Sequence, residues 1–168
     1  MDWFAGVLVV AAVLALLLLG WWALHTANRL DRLHVRCDLS WQALDSALGR
    51  RAVVARAIAV AAVGLDGASG TRLAALADTA ECAPRSGRES CENDLSAALA
   101  HLDSTQLPQP LAAELTDVQQ RVILGRRFYN DAVRDTLALR ERRPVRLLRL
   151  GGDAPMPSYF EIVEAVSR

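Results

Sequence analysis

Three histidines are the side chains best suited to ligate a metal or to move a proton near neutral pH. They are His25, His34 and His101, and they lie far apart in the chain. A metal site needs ligands that converge and a surrounding set of hydrogen bonds that orients them. Because the spacing of the histidines predicts no convergence, we expect no metal, no cofactor and no catalytic residue.

The cysteines offer a second kind of chemistry. Cys82 and Cys91 flank a short polar segment, residues 83–90, which a disulfide would close in an oxidising compartment. Free thiols in a variable loop explain the same residues equally well, and both interpretations stay open. Cys37 lies on an apolar helical stripe, which favours a small core residue.

One candidate surface for a role beyond packing combines residues of two predicted helices. Its members are Trp41, Arg50, Arg51, Phe128, Tyr129, Asn130 and Asp131. Four consecutive residues point in four directions around a helix, so residues 128–131 cannot all serve one buried face. Tyr129 fits the apolar stripe, while Asn130 and Asp131 can hydrogen-bond to Trp41 or Arg51. We consider two hypotheses, a polar latch that fixes helix register and a recognition surface for a protein partner.

An uncharged run from Trp3 to Leu24 precedes all of these residues. A helix of this length, rising about 1.5 Å per residue, covers the roughly 30 Å hydrocarbon core of a bilayer. Aromatic residues typical of the two headgroup layers stand at both ends, Trp3 and Phe4 at one and Trp21 and Trp22 at the other. We predict that residues 3–24 cross the lipid bilayer, within an anchor formed by residues 1–27.

A cleavable signal peptide is the main alternative for this run. Met1 and Asp2 do not form a basic amino-terminal region, and the run is longer than the apolar core of a signal peptide. Trp21 and Trp22 also occupy the place where small residues would prepare a cleavage site. These features favour an uncleaved signal anchor.

Basic residues beside the span predict its orientation. Arg29, Arg32 and Arg36 follow the span, whereas Asp2 precedes it. Flanking arginines favour the cytoplasmic side. We therefore expect a single-pass protein of the cell membrane with its amino terminus outside and the bulk of the chain in the cytoplasm. A disulfide between Cys82 and Cys91 would overturn this orientation.

The charge balance bears on the partners of the 168-residue chain. It carries 19 basic and 19 acidic residues and has a formal net charge of zero. Sequence-independent affinity for a polyanion needs a large basic excess on one face, so we expect no nucleic-acid partner.

Apolar residues at intervals of three and four predict helices throughout the rest of the chain. The predicted helices cover Asn28 to Val63, a short stretch around Leu73 and Leu76, Asn93 to Leu102, and Pro110 to Arg143. Ser158 and Glu161 form a capping-box pattern that predicts a last short helix. No convincing alternation of polar and apolar residues predicts a strand. The expected fold is all-α, an N-terminal transmembrane helix followed by an elongated antiparallel helical bundle.

Five arginines cluster near the end of the last long helix: Arg140, Arg142, Arg143, Arg146 and Arg149. They could contact lipid headgroups or an acidic partner. If the helices alternate in direction, however, the cluster is expected at the end of the bundle distant from the membrane.

Four segments in order carry a family resemblance. They are Asn28-Arg29-Leu30-Asp31-Arg32-Leu33, Trp41-Gln42-Ala43-Leu44-Asp45 ahead of Arg50-Arg51, Glu92-Asn93-Asp94-Leu95, and Arg127-Phe128-Tyr129-Asn130-Asp131-Ala132-Val133-Arg134. Together with the closing Tyr159-Phe160-Glu161, they resemble the LemA family. The resemblance implies a membrane-anchored helical bundle domain over residues 28–168, without an established enzymatic activity. Two departures are the absence of the Ile-Pro-Asn stretch expected after the basic pair and a glycine-rich segment at 64–90.

These observations favour a non-enzymatic adaptor or scaffold in envelope maintenance that binds a protein partner. One alternative is a membrane-tethered enzyme with an unrecognised site near Tyr129 and Asp131. Another is a self-associating assembly, a homo-oligomer, because Ala11 and Ala15 provide a small-xxx-small spacing in the span.

Overall fold

The structure, a computed structural model, describes residues 2–61, 67–102, 107–152 and 154–162. These residues contain five helices and no strand, which confirms the all-α prediction. The helices are α1 (Asp2–Ala61), α2 (Gly67–Cys82), α3 (Arg88–Ala100), α4 (Gln109–Arg140) and α5 (Arg143–Leu147).

Helix α1 joins the apolar run and the first amphipathic helix without a break, over 60 residues. Its burial changes abruptly along the chain. Residues 3–21 are all exposed, whereas Trp22 is half-buried and Thr26, Leu30 and Cys37 are buried. The helix therefore has an uncovered apolar segment and, from Trp22 onward, a face covered by other parts of the protein.

The contacts divide the chain into two compact units, each described by itself. The first unit combines Met1–Asp38 with Ala132–Ser158. Its small core consists of Leu30, Leu139 and Val145, with three half-buried side chains packed against it: Trp22, Leu33 and Leu150. Arg36 pairs with Asp135 at 3.0 Å and the Cys37 thiol lies 3.4 Å from the Thr136 hydroxyl. In this unit α1 and α4 run antiparallel.

The second unit combines Leu39–Asp131 with Tyr159–Arg168. Its core draws small and branched aliphatic side chains from all four of its helices, including Ala55 and Ile58 of α1, Ala77 of α2, Leu95 of α3 and Val118 of α4. The alanines let helix backbones approach closely, since they add little volume between them. Leu44 packs against Gly125 while Arg50 pairs with Glu114, so α1 and α4 are antiparallel here too.

Each predicted long helix is present in the structure, but several helices begin or end at other residues than predicted. Helix α3 begins at Arg88, several residues before the predicted start, and a separate short helix, α5, begins at Arg143, where the predicted Pro110 to Arg143 helix was expected to end. Proline suits the first turn of α5 because the amide it lacks would have no partner there. The capping-box helix does not begin at Ser158: residues 158–162 are not helical, and 163–168 lie outside the described residues.

Substitution of two glycines of the second unit by alanine is expected to affect stability differently. A Cβ added at Gly125 would lie 3.3 Å from Leu44 Cα, whereas one added at Gly49 would meet nothing within 4 Å. Gly49→Ala is therefore expected to raise the free energy of unfolding by about 0.5–1 kcal/mol, the usual cost of glycine within a helix. Gly125→Ala should give no such gain, because Leu44 must move to admit the methyl group. Urea unfolding of both variants in nanodiscs checks this, and an equal gain at both positions would contradict the close approach.

Candidate functional site

Three aromatic side chains from distant parts of the sequence meet in the second unit. The Trp41 ring lies edge-to-face against Tyr129, with centroids 5.4 Å apart, and against Phe160 at 5.5 Å. Tyr129 and Phe160 are buried, and Trp41 is half-buried. Edge-to-face packing places the positive edge of one ring on the negative face of another, which adds to the gain from burial. This aromatic cluster joins α1, α4 and the segment that follows α5.

Arg85 covers the aromatic cluster. Its guanidinium carbon lies 4.4 Å from the Trp41 ring centroid and 5.5 Å from that of Tyr129. One guanidinium nitrogen also donates a hydrogen bond to the Tyr129 hydroxyl at 3.1 Å. The turn between α2 and α3, closed by the Gly87 amide donating to the Pro84 carbonyl, carries Arg85 to this place. Sequence reasoning missed Arg85, because nothing in a polar loop marks which of its residues will cover an aromatic ring.

The Asn130 side chain binds the backbone of Phe160. The Asn130 side-chain amide donates to the Phe160 carbonyl at 3.0 Å, and the Phe160 amide donates to Asn130 Oδ1 at 2.9 Å. The expected bond from Asn130 to Trp41 or Arg51 is therefore replaced by a two-bond clamp on an extended segment. A carboxamide offers a donor and an acceptor side by side, which matches the two backbone groups of one residue outside a helix.

Removing the Asn130 clamp should loosen the segment at Phe160. Asn130→Ala is expected to cost about 1–3 kcal/mol, because two buried or half-buried backbone groups lose their partners. Cleavage by a nonspecific protease near Phe160 should speed up and Trp41 fluorescence should shift to the red. Phe128→Ala is the matched control on the same helix, since Phe128 is 63% exposed; a surface substitution of this kind changes stability within about 0.5 kcal/mol. Unchanged proteolysis in Asn130→Ala would show that the clamp does not hold the segment.

A buried ionic network lies in the same unit. The Glu92 carboxylate, fully buried, binds the guanidinium groups of Arg51 and Arg88, each about 95% buried as a side chain. Arg51 also donates to the Ser96 hydroxyl at 3.0 Å, and Arg88 lies 3.3 Å from Asp45. The network ties α1 to α3, so it fixes the register between them.

The seven residues of the predicted surface divide accordingly. Arg51 is buried in the ionic network, while Arg50 is exposed and pairs with Glu114. Trp41, Tyr129 and Asn130 belong to the aromatic cluster and its clamp. Phe128 is exposed and Asp131 is half-buried. The hypothesis that these residues fix helix register therefore fits four of the seven: Trp41, Arg51, Tyr129 and Asn130. Of the seven, Phe128 is the large apolar side chain that is exposed.

The histidines have three different surroundings. His25 stacks on Trp21 at 5.8 Å, His34 Nε2 lies 3.4 Å from Arg140, and His101 borders a depression with Asp94 and Arg72. The described residues hold no group of three or more His, Cys, Asp or Glu side chains that could bind a metal ion.

The three cysteines are free thiols. Cys82 is exposed at the end of α2, Cys91 is half-buried in α3, and Cys37 is buried. Of the two interpretations left open by the sequence, the structure has the free thiols: Cys82 and Cys91 form no disulfide in it.

Arg56 forms two surface ion pairs at the edge of the second unit. The pKa of Arg56 is raised above its ordinary value, first by its hydrogen bond to Glu81 and then by that to Asp78. These bonds join α1 to α2 at 2.6 and 2.9 Å. Their contribution is that of a surface pair, which holds position more than it adds stability.

The aromatic cluster and Asn130 bind a segment of the protein's own chain, the extended residues around Phe160. They provide ring edges, one guanidinium group and one carboxamide, and they use them on the protein's own residues. Compared with known proteins, the chain gives no significant match to a family model, to a curated protein or to a solved structure.

Proposed function

We propose that this chain is a single-pass, membrane-anchored helical-bundle protein of the LemA type that acts as a non-enzymatic adaptor or scaffold in envelope maintenance. The proposal has three parts: the anchor in the cell membrane, its orientation, and the binding of a protein partner. Each part rests on a different set of residues.

The anchor is carried by one observation, the complete exposure of the apolar start of α1. Among the described residues, α1 is the one helix long and apolar enough to cross a membrane, and none of its most apolar 18-residue window is buried in the protein. The side chains of Leu16 and Leu17 are 68% and 64% exposed. A soluble core helix would have these side chains covered, since contiguous exposed apolar surface of this size is costly in water. A bilayer is the environment that removes the cost.

The orientation follows from the arginines after the span. Arg29 and Arg32 are exposed on α1 and follow Leu24 by five and eight residues. Short basic flanks remain on the cytoplasmic side during insertion. The bundle, in this proposal, faces the cytoplasm.

The LemA assignment is supported by the way its motifs meet. Trp41 of the second motif, Tyr129 of the Phe-Tyr-Asn-Asp motif and Phe160 of the closing pair form the aromatic cluster. Residues far apart in sequence that make one packed cluster are expected to be kept together in a family. If the short motifs resembled the family only by chance, the aromatic residues of different motifs would not need to be in contact.

The adaptor role is supported by Phe128. This large apolar side chain is 63% exposed, beside a cluster that is otherwise satisfied within the protein. Aromatic side chains contribute strongly to protein interfaces when a partner desolvates them. Phe128 is therefore the residue at which a partner is expected.

A photo-crosslinking amino acid at position 128 in intact cells tests the adaptor role. We expect a reproducible protein adduct from position 128 and none from position 60, where Val60 is 85% exposed and serves as the control. Identification of the adduct by mass spectrometry names the partner. If position 128 yields no reproducible adduct, or the same adducts as position 60, the adaptor role is wrong.

A further inference from the structure

The arginine patch, Arg142, Arg143, Arg146 and Arg149, belongs to the same compact unit as the start of α1. Within that unit, Val145 of α5 is buried against Leu30 and Leu139. Trp22 and Leu150 pack on the same core. The patch is therefore tied by its neighbours Val145 and Leu150 to the part of α1 that follows the apolar run.

The distance from this core to the end of the span is short. Leu30 follows Leu24 by six residues, which is about 9 Å along a helix. Trp22 belongs to the span itself. The headgroup layer on each side of a bilayer is about 5–8 Å deep. The expectation that the arginines lie at an end distant from the membrane is therefore wrong: α4 returns antiparallel to α1, and α5 then packs beside the exit of the span.

The patch has a strong positive charge. Residues 140–152 contain five arginines and one acidic residue, Glu141, which gives a net charge of +4. Arg140 is used within the protein, since it donates to the carbonyl groups of Ala154 and Pro155 at 2.8 and 3.2 Å. The four patch arginines are exposed, and within the described ranges no ion pair neutralises them. Charges this close to a membrane surface lie within about one Debye length of it, 8–10 Å at physiological salt.

Exposed apolar side chains accompany the patch. Leu147 is 83% exposed, Leu148 43% and Met156 57%. Arg146, Arg149 and Met156 line one shallow depression. Arginines interspersed with exposed apolar side chains are typical of a surface that lies in the headgroup layer, where the guanidinium groups meet phosphates and the apolar groups enter the acyl boundary.

We propose that the arginine patch, together with Leu147, docks on the anionic phospholipid headgroups of the bilayer that holds the span. The occupant is the lipid surface rather than an acidic protein, because the patch is continuous with the membrane-spanning helix through Val145, Leu30 and Trp22. Docking gives the bundle a second attachment to the membrane and limits its swing about the end of the span. This inference rests on the proposed membrane anchor.

The test uses the full chain in lipid nanodiscs, with Leu147→Cys labelled by an environment-sensitive fluorophore in a Cys82→Ser, Cys91→Ser background. Nitroxide-labelled lipids report contact by quenching. We expect blue-shifted, strongly quenched emission in nanodiscs that contain anionic phosphatidylglycerol, and weak quenching in pure phosphatidylcholine. Replacing Arg143, Arg146 and Arg149 by Gln should lower the ratio of docked to undocked protein roughly 100-fold, at about fivefold per arginine.

Two controls isolate the patch. Replacing Arg72, Arg121 and Arg127 by Gln removes the same charge from exposed arginines of the second unit and should leave the quenching unchanged. The same fluorophore at Val60→Cys should report water in both lipids. Equal emission at position 147 in the two lipids, or retained quenching after neutralisation of the patch, would overturn the inference. Loss of the chain from nanodiscs on flotation, measured separately, would instead overturn the membrane anchor.

Discussion

Glu92→Ala is expected to lower the free energy of unfolding by about 3–5 kcal/mol, because it leaves the guanidinium groups of Arg51 and Arg88 buried without their counter-charge. Glu92 is fully buried and accepts from both arginines. Arg51 is already imperfectly satisfied, since its buried Nε has no hydrogen-bond partner among the described residues. A typical domain is stable by only 5–15 kcal/mol, so this one substitution should remove a large part of the stability of the second unit.

Urea unfolding followed by circular dichroism in nanodiscs measures the loss. Glu114→Ala is the matched control: it removes a glutamate that also pairs with an arginine of α1, Arg50, but at the surface. Exposed pairs contribute about 0–1 kcal/mol, so this variant should unfold nearly as the parent does. Equal losses in the two variants would mean that the Glu92 network is not buried as the structure has it.

A charge-free version of the network separates charge from packing. The triple variant Arg51→Met, Glu92→Leu, Arg88→Met replaces the ion triad by apolar side chains of comparable volume. We expect it to recover most of the stability that Glu92→Ala loses, because the attraction between buried charges is little larger than the free energy needed to remove them from water. A triple variant as unstable as Glu92→Ala would show that the network stabilises the unit through its ionic contacts.

Arginine substitutions at Leu14, Leu16 and Leu18 are expected to remove the chain from the membrane fraction. Each arginine near the centre of a spanning helix costs about 2.5–3.5 kcal/mol of insertion free energy, or roughly 7–11 kcal/mol for three. This outweighs the gain from the remaining apolar residues of the span. The parent should resist alkaline extraction of membranes, and the variant should appear in the supernatant or be degraded.

The control places the same three arginines later in α1. Val35, Leu39 and Val60 are apolar and exposed, at 52%, 60% and 85%. Their replacement by arginine adds the same charge to the same helix but outside the span, so membrane retention should not change. Retention of the Leu14, Leu16 and Leu18 variant after alkaline extraction would contradict the assignment of residues 3–24 as the anchor.

Hydrophobic periodicity predicted the helices because it reports directly on burial. The interval of three and four residues that marks Leu30, Cys37, Leu44 and Leu48 is the buried stripe of α1. Helix ends were less accessible to this reasoning. The capping-box pattern at Ser158 predicted a helix, but the Asn130 clamp holds Phe160 in an extended backbone. A tertiary contact thus decided a segment whose local sequence favours a helix.

The candidate site was predicted in part. The residues Trp41, Tyr129 and Asn130 were singled out and lie together, but Arg85 and Phe160 complete their cluster from segments that local patterns describe as a loop and a short last helix. Arg51 was assigned to the candidate surface, but it is buried against Glu92. Periodicity cannot distinguish a solvated arginine from one buried against a glutamate, because both interrupt the apolar stripe in the same way.

The location of the arginine patch depended on topology rather than on composition. From sequence, helices that alternate in direction place the cluster at the end of the bundle distant from the membrane. The structure differs: Val145 packs in one core with Leu30, so the patch lies beside α1 near the end of the apolar run within the first unit. This packing is the reason for proposing lipid headgroups, rather than an acidic protein, as the partner of the four patch arginines.

The most direct test of the proposal that the bundle is anchored in the membrane and faces the cytoplasm is the accessibility of Cys82, an exposed thiol at the end of α2. Cells carrying the Cys91→Ser variant are treated with a membrane-impermeant thiol reagent, intact or lysed, and labelling is read in the membrane pellet that resists alkaline extraction. The same reaction on the parent, with and without prior reduction, reports whether Cys82 and Cys91 form a disulfide. We predict labelling only after lysis and without any need for reduction. Labelling of Cys82 in intact cells, or labelling of the parent only after reduction, would contradict the cytoplasmic orientation and place the bundle outside.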